Sequence, residues 1–493
     1  MRWERGGGAQ EAAAGWRVLD VTFHQHALSQ AQNENGKSPN NILERSATAS
    51  STDEGPSNPH SSTTTAPTQP HQYTLYPHRY LGLLHLLLLN IVISWSWLTF
   101  APLSSTSAAY FSLPESAINW LSTAFLFAFL PPTPLVILAL NKGGPKTSIL
   151  ISSALVLVGN WIRYAGTVAG ESGKFGVVVF GQVVIGFAQP FVLAAPTRYA
   201  NLWFSDSGRV SAIAVMTLAN PLGAALGQLV GPLWAPGTDD GDTTGIPKLV
   251  LYTAILSTVS TIPAPLLPRA PPTPPSAIAA EEPLDLEAAL KVLPKNISFW
   301  LLFIPFSLYV ALFNATSSLL NQILQPYAFT ETQAGIAGGL LILVGLVASA
   351  LVSPLVDRTK AYLRTIKLLV PFIAASYVIL IFIPSTRSVA GVYTICAILG
   401  ATSFSLLPCA LEYLVVATHP VSPEITSTIC WSGGQLLGAV FILVMGALEG
   451  EVGQPVGSLR RALIFQAVIG CVAVVPALML GLGRGRGDGV AIG

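Results

Sequence analysis

Uncharged amide side chains stand inside long apolar stretches of this sequence. Gln189, Asn220, Asn314 and Gln435 are four such residues. An amide donates and accepts hydrogen bonds without carrying charge, which suits the lining of a site for a polar or zwitterionic solute. The same side chains could instead join two helices, a contact worth about 0.6–2 kcal/mol in membranes. We expect solute contact from Gln189 and Gln435, which lie at nearly equivalent depths of two sequence repeats.

Two oppositely charged residues lie at matching places near the ends of two apolar stretches. Glu412 is the only carboxylate that we place within such a stretch, and Arg198 stands about 215 residues before it. Ionisable groups at membrane depth cost several kcal/mol and normally find partners. We therefore expect Arg198 and Glu412 to pair, as part of a gate, when one side of the protein is shut. The alternative is that each snorkels or caps its own helix end.

The sequence has no arrangement of residues that is typical of catalysis. Cys396, Cys409, Cys430 and Cys471 fall in or beside apolar stretches without CxxC spacing, which argues against a zinc site or a disulfide framework. Neither a nucleophile beside a base nor a phosphate-binding loop is evident. We predict no enzyme, no cofactor and no metal site.

The elements that carry these residues are long and apolar. Hydrophobic residues make up 51% of the 493 residues and charged residues only 10%. A helix needs about 20 apolar residues to cross about 30 Å of hydrocarbon, and about twelve stretches have that character. The sequence therefore predicts an all-α integral membrane protein within a lipid bilayer. The predicted spans are 80–103, 118–140, 147–168, 175–197, 210–233, 249–267, 298–323, 332–355, 368–383, 389–418, 425–448 and 462–482.

The second six stretches repeat features of the first six. The basic loop 141–146 corresponds to 357–364, which begins with Asp357 and Arg358, and Asn220–Gly223 corresponds to Gln435–Gly438. Duplicated bundles of this kind build secondary transporters, whose halves move about a site near the bilayer midplane. We predict twelve transmembrane helices in two pseudo-symmetric six-helix bundles, with Asp357 and Arg358 contributing to the gate.

Composition and proline content set the predicted boundaries. We expect a disordered cytoplasmic tail at 1–78, bundles at 79–267 and 298–483, and a second cytoplasmic tail at 484–493. Between the bundles, 268–297 is predicted to be a cytoplasmic linker with a short amphipathic helix. Lys and Arg are more frequent in the loops on the side of the termini, which places both termini in the cytoplasm. A net charge of +1 indicates no nucleic-acid partner, and we expect a monomer.

Several short motifs resemble one transporter family. In order and spacing, the sequence is similar to the feline leukaemia virus subgroup C receptor-related family of major facilitator transporters, over essentially all twelve spans. Members of that family are associated with transport of choline and ethanolamine, with haem export, and with other solutes; the resemblance does not choose among them. The motifs are Ile118–Ser122, Gly181–Gln182, Ala188–Phe191, Ala195–Arg198, Leu202–Phe204, Asn220–Gly223 and Leu319–Gln322.

The resemblance implies a central substrate site. Trp97, Gln189 and Gln435 match its aromatic and amide positions, whereas Asn314 stands where choline-transporting members place a Tyr. A quaternary ammonium is held by cation–π contact with aromatic rings, so this difference argues against choline itself. The first-half loop also departs from the superfamily pattern, because Asn141 stands where an Asp is expected.

We predict a transporter that moves a small polar organic solute by alternating access, with Trp97, Gln189, Asn314 and Gln435 in contact with the solute. Two alternatives stay open: a haem transporter of the same family, and a non-transporting receptor or scaffold. Haem iron needs an axial ligand, yet His85 and His419 are the only His beyond the predicted tail. We expect His85 at the membrane interface.

Overall fold

The structure is a computed structural model that describes residues 74–236, 243–273, 286–419, 421–450 and 455–481. Fourteen α-helices, joined by short turns and 3₁₀ segments, account for most of these described residues. In chain order the helices are α1 Arg79–Leu98, α2 Ser104–Phe111, α3 Glu115–Ala128, α4 Thr133–Thr167, α5 Phe175–Trp203, α6 Asp206–Trp234, α7 Gly245–Thr261, α8 Leu286–Val292, α9 Ile297–Leu324, α10 Glu331–Thr359, α11 Tyr362–Leu380, α12 Val389–Thr418, α13 Pro423–Ala447 and α14 Arg460–Met479.

Eleven helical segments within the described residues are long and apolar enough to cross a membrane. The second predicted span, 118–140, differs because it is built from two helices. Helix α3 ends at Ala128 and α4 begins at Thr133. Pro131 and Pro132 lie between them, and a proline interrupts a helix because it lacks an N–H donor. The second crossing is therefore α3 followed by the first turns of α4.

Helix α4 continues through the basic loop into the third predicted span. Its axis breaks at Gly144, where φ is 65° and ψ is −171°, a conformation that glycine adopts at little cost. Pro145 follows the break. With α4 contributing to two crossings, α1–α7 supply six crossings and α9–α14 supply six more. The predicted all-α architecture of two six-helix halves is confirmed.

A short helix, α8, precedes the second half. Ala289 and Leu293 are buried on one side of this segment, while Glu287 and Lys291 form an exposed ion pair with an N–O distance of 2.6 Å. Residues 274–285, where the rest of the predicted amphipathic helix falls, lie outside the described residues, as do 1–73 and 482–493. The predicted tails therefore stay predictions.

Each half contains an amide pair that joins its first crossing to its fifth. In the first half, Asn220 Nδ2 on α6 donates to Asn90 Oδ1 on α1 at 3.3 Å. In the second half, Asn314 Nδ2 on α9 donates to Gln435 Oε1 on α13 at 3.0 Å. Asn220 and Gln435 are the residues that the sequence repeat aligns. The sequence repeat therefore corresponds to the same amide contact between the first and fifth crossings of each half.

The two halves meet along helices that contribute small residues. Helix α6 packs against α10, and α3 packs against α13. A Cβ on Gly335 of α10 would lie 2.5 Å from the carbonyl oxygen of Gln228 on α6, so the two backbones approach closely. Small residues permit this approach, and in membranes it is a main source of helix association.

Among the described glycines of the second half, Gly400 on α12 leaves the least room for a side chain. A Cβ placed there would lie 1.8 Å from the carbonyl oxygen of Leu341 on α10. Backbone cannot move aside as a flexible side chain can, so even one added methyl group must separate the two helices. Gly400 is therefore required for the packing of α10 against α12.

Replacing this glycine tests the packing. We expect Gly400→Ala to lower the free energy of unfolding by about 1–3 kcal/mol, the usual cost of overpacking, measured as a lower melting temperature of the purified protein in detergent. Gly176→Ala is the matched control, since a Cβ there meets nothing within 4 Å. Equal melting temperatures for the two variants would show that α10 and α12 do not approach this closely.

Candidate functional site

A cavity of about 670 Å³ lies between the two halves. Helices α1, α5 and α6 line it from the first half, and α9, α12 and α13 line most of the other side. All four residues predicted to contact solute are among the lining residues. These are Trp97, Gln189, Asn314 and Gln435.

The cavity extends toward one face of the protein. We call the face at which α1 begins the terminal face, and the other the opposite face. Pro423 and Glu424, at the start of α13 on the terminal face, line the cavity, as does Glu412 near the end of α12. The cavity is therefore reached from the terminal face.

Hydrogen bonds between the halves close the opposite face. Asn119 Nδ2 on α3 donates to Gln322 Oε1 on α9 at 3.1 Å, and Gln322 Nε2 donates back to Asn119 Oδ1 at 2.7 Å. Both side chains are buried. A reciprocal amide pair satisfies a donor and an acceptor on each partner, so it joins the halves without charge.

A second group of polar residues adds to this closure. Glu331 of α10 accepts from the backbone N–H of Thr106 at 3.0 Å and from its Oγ1 at 2.6 Å. Asn321 Nδ2 donates to Ser104 Oγ at 2.9 Å, and Ser104 Oγ donates to Glu115 at 2.8 Å. Glu331 begins a spanning helix. Glu412 is therefore not the only carboxylate in a candidate span: the spans are a few residues longer than predicted and include Glu331, Asp357 and Glu424 at helix ends.

Trp97 lies near the end of α1 and contributes an aromatic wall to the cavity. Its side chain is 5% exposed, and its ring stacks on Phe125 with centroids 6.2 Å apart and planes inclined by 15°. The indole Nε1 is buried and has no hydrogen-bond partner among the described residues. A buried donor without a partner costs free energy, so this N–H is available to a bound molecule.

Gln189 and the Asn314–Gln435 pair face the cavity from opposite halves. Gln189 is buried, and its Oε1 has no partner among the described residues. The bond from Asn314 Nδ2 to Gln435 Oε1 leaves Asn314 Oδ1 and the Gln435 amide nitrogen for other contacts. Asn220 also lines the cavity but is committed to protein contacts, since it accepts from Ser94 at 3.0 Å and donates to Asn90.

Aromatic residues that the sequence reasoning missed supply much of the remaining wall. Trp431 lies one helical turn before Gln435 on α13, so the two share a helix face, and this spacing was a usable signal. Its ring meets Phe306 edge to face at 5.6 Å, and Phe313 meets Phe404 in the same way at 5.4 Å. The aromatic residues that line the cavity are Trp97, Phe129, Phe306, Tyr309, Phe313, Phe404 and Trp431.

The charges around the cavity have one sign. Glu412 and Glu424 line its wider end, and no Lys, Arg or His is among the described residues that line it. Carboxylates in a cleft with apolar walls focus a negative potential and raise the local concentration of cations. Aromatic faces attract cations as well. The cavity therefore favours a positively charged solute.

The predicted gate residues lie near the terminal face but do not form the predicted pair here. Arg198 does not line the cavity; its Nη2 lies 3.5 Å from Oδ1 of Asn141, the residue that departs from the superfamily pattern. Among the described residues, no ion pair joins Arg198 to Glu412. This fits a terminal face that is open, since the pair was expected only when that face is shut.

The last turn of α10, and not the predicted loop 357–364, holds the other predicted gate residues, Asp357 and Arg358. Asp357 accepts from the Tyr362 hydroxyl at 3.0 Å, and Arg358 is exposed. The hydrogen bond to Tyr362, together with the nearby charges of Asp357 and Glu412, raises the pKa of Lys360 above its ordinary value. Glu412 is thus within electrostatic reach of its own half's loop.

The structure places His85 in the core rather than at the interface. The side chain is fully buried on α1, and its Nε2 lies 3.2 Å from Ser153 Oγ on α4. Helix packing, which hydropathy does not show, accounts for this error. His85 does not line the cavity, and the one Tyr that does, Tyr309, donates its hydroxyl to the Gly470 carbonyl oxygen at 2.9 Å. The described lining therefore offers no free His or Tyr as a haem ligand.

Comparisons with known proteins agree with this architecture. The Major Facilitator Superfamily profile matches residues 86–441. Solute carrier family 49 member A3 of Danio rerio is 30% identical over 394 residues, covering 78% of this chain and 81% of the relative. The choline/ethanolamine transporter FLVCR1 of Mus musculus is 27% identical over 412 residues, covering 79% of this chain and 73% of the relative.

Solved structures share the fold at low sequence identity. A bacterial homologue of the human lysosomal transporter Spinster, in an inward-facing and unoccupied conformation, has a TM-score of 0.64 at 16% identity and covers 83% of this chain and 98% of its own. A D-xylose–proton symporter has a TM-score of 0.61 at 14% identity, with 82% and 97% covered. The chain is thus an integral membrane transporter that belongs to the major facilitator superfamily and, within it, to the feline leukaemia virus subgroup C receptor-related family.

Proposed function

We propose that this transporter carries a small organic ammonium compound across the membrane by alternating access. The observation that supports this most directly is the cavity lining, which combines seven aromatic residues and two carboxylates with no cationic side chain among the described residues. A cation over an aromatic face gains about 0.5–2 kcal/mol, more where water is excluded. Relatives named choline/ethanolamine transporters point to the same class of solute.

The solute is further proposed to carry N–H donors, as protonated ethanolamine does. Gln189 Oε1 is a buried acceptor without a partner among the described residues, and Asn314 Oδ1 is a second acceptor left free by the amide pair. A primary ammonium can donate to both while it contacts Trp97. A quaternary ammonium has no N–H, and Asn314 provides no ring to compensate.

The transport cycle that we propose alternates between two sets of contacts. The opposite face is closed by the Asn119–Gln322 pair and by the Glu331 contacts, while the terminal face is open. In the other state these contacts break, and Arg198 on the first half pairs with Glu412 on the second. Because each contact forms in only one state, each can shift the equilibrium between states.

The orientation and the working unit are parts of the same proposal. The basic residues Arg358, Lys360 and Arg364 lie at or beside the loop after α10, which supports a cytoplasmic terminal face by the positive-inside rule. The two halves of this chain enclose the cavity between them, which supports a monomer as the working unit.

Uptake of radiolabelled ethanolamine by cells that express the protein tests the proposed function. We expect saturable uptake, and we expect Trp97→Ala to raise KM by up to roughly thirtyfold, equivalent to a lost cation–π contact of about 2 kcal/mol. Trp161→Ala is the control, because Trp161 is 41% exposed and lies outside the cavity. A receptor or scaffold that does not transport would give normal surface expression without uptake. Stabilisation of the purified protein against heat by ethanolamine, without uptake, would identify such a receptor.

Exchanging the residue at position 314 tests solute preference. We expect Asn314→Tyr to shift the ratio of choline to ethanolamine uptake toward choline by about tenfold, because it adds an aromatic ring and removes the amide acceptor. Asn314→Ala separates these effects, since it removes the acceptor without adding a ring. A ratio that is the same in all three proteins would mean that residue 314 does not contact the ammonium group.

Charge exchange tests the proposed gate. We expect Arg198→Glu and Glu412→Arg each to lower the uptake rate by up to about fivefold, since pairing of about 0.5–1 kcal/mol biases the two states by that factor. At saturating ethanolamine the double variant should recover most of the rate, whereas its KM should stay high because Glu412→Arg places a cation in the cavity lining. A double variant as slow as the slower single variant excludes direct pairing.

A further inference from the structure

The first candidate span, Arg79–Phe111, contains a buried helix end. Helix α1 ends at Leu98, and Pro102 lies in the following 3₁₀ segment Ala101–Leu103, before α2 begins at Ser104. The last four carbonyl groups of a helix have no partner within it, and no water is present in hydrocarbon to supply one. Side chains fill this need: Thr99 Oγ1 donates to the Trp95 carbonyl at 2.9 Å.

The Ser96 carbonyl is held by two side chains from other helices. Arg163 Nη1 on α4 donates to it at 2.8 Å, and Gln182 Nε2 on α5 donates at 3.0 Å. Asn160 Oδ1 accepts from Ser96 Oγ at 3.3 Å and from Arg163 Nη2 at 2.9 Å. We call Arg163, Gln182 and Asn160 the Ser96 clamp.

Arg163 is an unusual residue for this position. Its side chain is fully buried, and no carboxylate is among its partners in the described part of the chain. Neutral oxygens surround it: in addition to Ser96 and Asn160, Gln182 Oε1 accepts from Nη1 at 3.0 Å. The guanidinium carbon lies 5.5 Å from the Phe100 ring centre. The negative end of the α1 dipole adds to these attractions.

Close packing of α4 on α5 brings the clamp together. A Cβ on Gly181 would lie 2.7 Å from the Gly159 carbonyl oxygen and 2.7 Å from the Arg163 nitrogen. Only glycine allows this distance, and it sets Arg163 beside Gln182. The Gly181–Gln182 motif does not line the cavity, but it has a role here: Gly181 permits the close packing, and Gln182 binds the Ser96 carbonyl.

The clamp acts on the residue next to Trp97. A buried ionic group is often less stabilising than an apolar replacement of similar size, so stability alone is a weak reason for Arg163. The charged Arg163 side chain fixes the α1 backbone at Ser96. Trp97 is the next residue, so the position of its ring in the cavity depends on that backbone. We propose that Arg163, acting with Gln182, is a positioning residue that sets solute affinity through Trp97 without touching the solute.

This inference rests on the proposed function for its transport readout, but the clamp itself can be tested without solute. The variants are Arg163→Met, which removes every donor, Arg163→Lys, which keeps the charge on a single donor nitrogen, and Gln182→Leu, which removes the uncharged donor from α5. Gln466→Leu is the matched control, because Gln466 is fully buried in the second half, donates to Thr316 at 2.9 Å and does not line the cavity.

The first measurement is amide hydrogen exchange of the full-length protein in detergent without solute. We expect peptides that cover 94–103 to exchange about tenfold faster in Arg163→Met, less so in Arg163→Lys, and at the wild-type rate in Gln466→Leu. Wild-type exchange of this segment in all Arg163 and Gln182 variants overturns the inference, whatever the solute is.

The second measurement is ethanolamine uptake in a double-mutant cycle. We expect Arg163→Lys to raise KM by about tenfold with an unchanged maximal rate per surface molecule, and to add no further increase in a Trp97→Ala background. Additive effects of the two changes overturn the inference, because a residue that acts through Trp97 has no effect once the ring is gone. Absence of wild-type ethanolamine uptake instead refutes the proposed solute, and the exchange measurement then decides the inference alone.

Discussion

Every backbone carbonyl in a bilayer needs a hydrogen-bond partner from the protein, and this constraint organises the site. Prolines inside helices surround the cavity: Pro190, Pro221, Pro305 and Pro408 all lie within helices where they line it. Each proline frees a carbonyl one turn earlier. Backbone irregularity at membrane depth is tolerated where it is buried in protein or faces a cavity. Four of the helices that line the cavity therefore carry a proline, and a freed carbonyl, beside it.

The two halves have the same helix contacts but different charged residues. Both use an amide pair between their first and fifth crossings, Asn90–Asn220 and Asn314–Gln435. Both carboxylates that line the cavity, however, come from the second half, whereas the first half holds the buried guanidinium of Arg163. The two halves therefore share the geometry of the cavity, and single side chains that differ between them account for its charge.

Hydropathy and the internal repeat predicted the spans and the two halves, because a membrane imposes helix length directly on the sequence. The repeat also selected Gln189 and Gln435, which line one cavity, although their contact with solute stays a proposal. Tertiary contacts were beyond such reasoning. Nothing local in the sequence shows that Asn314 bonds Gln435, or that Arg163 turns inward and not toward headgroups. Pro131 and Pro132 signal the helix break in the sequence. Because the residues on both sides are apolar, the hydropathy pattern predicted one continuous span across them.

The pair of carboxylates at the wide end of the cavity has a further consequence. Without protein cations among the described lining residues, Glu412 and Glu424 draw mobile inorganic cations from solution. The ammonium solute proposed above then displaces one of these counterions, so its loading is an ion exchange instead of the filling of an empty space. Its apparent affinity falls as ionic strength rises, since salt both competes for the carboxylates and screens them over about 8 Å at physiological concentration. The ionic composition beside the membrane thus becomes part of the transporter's selectivity.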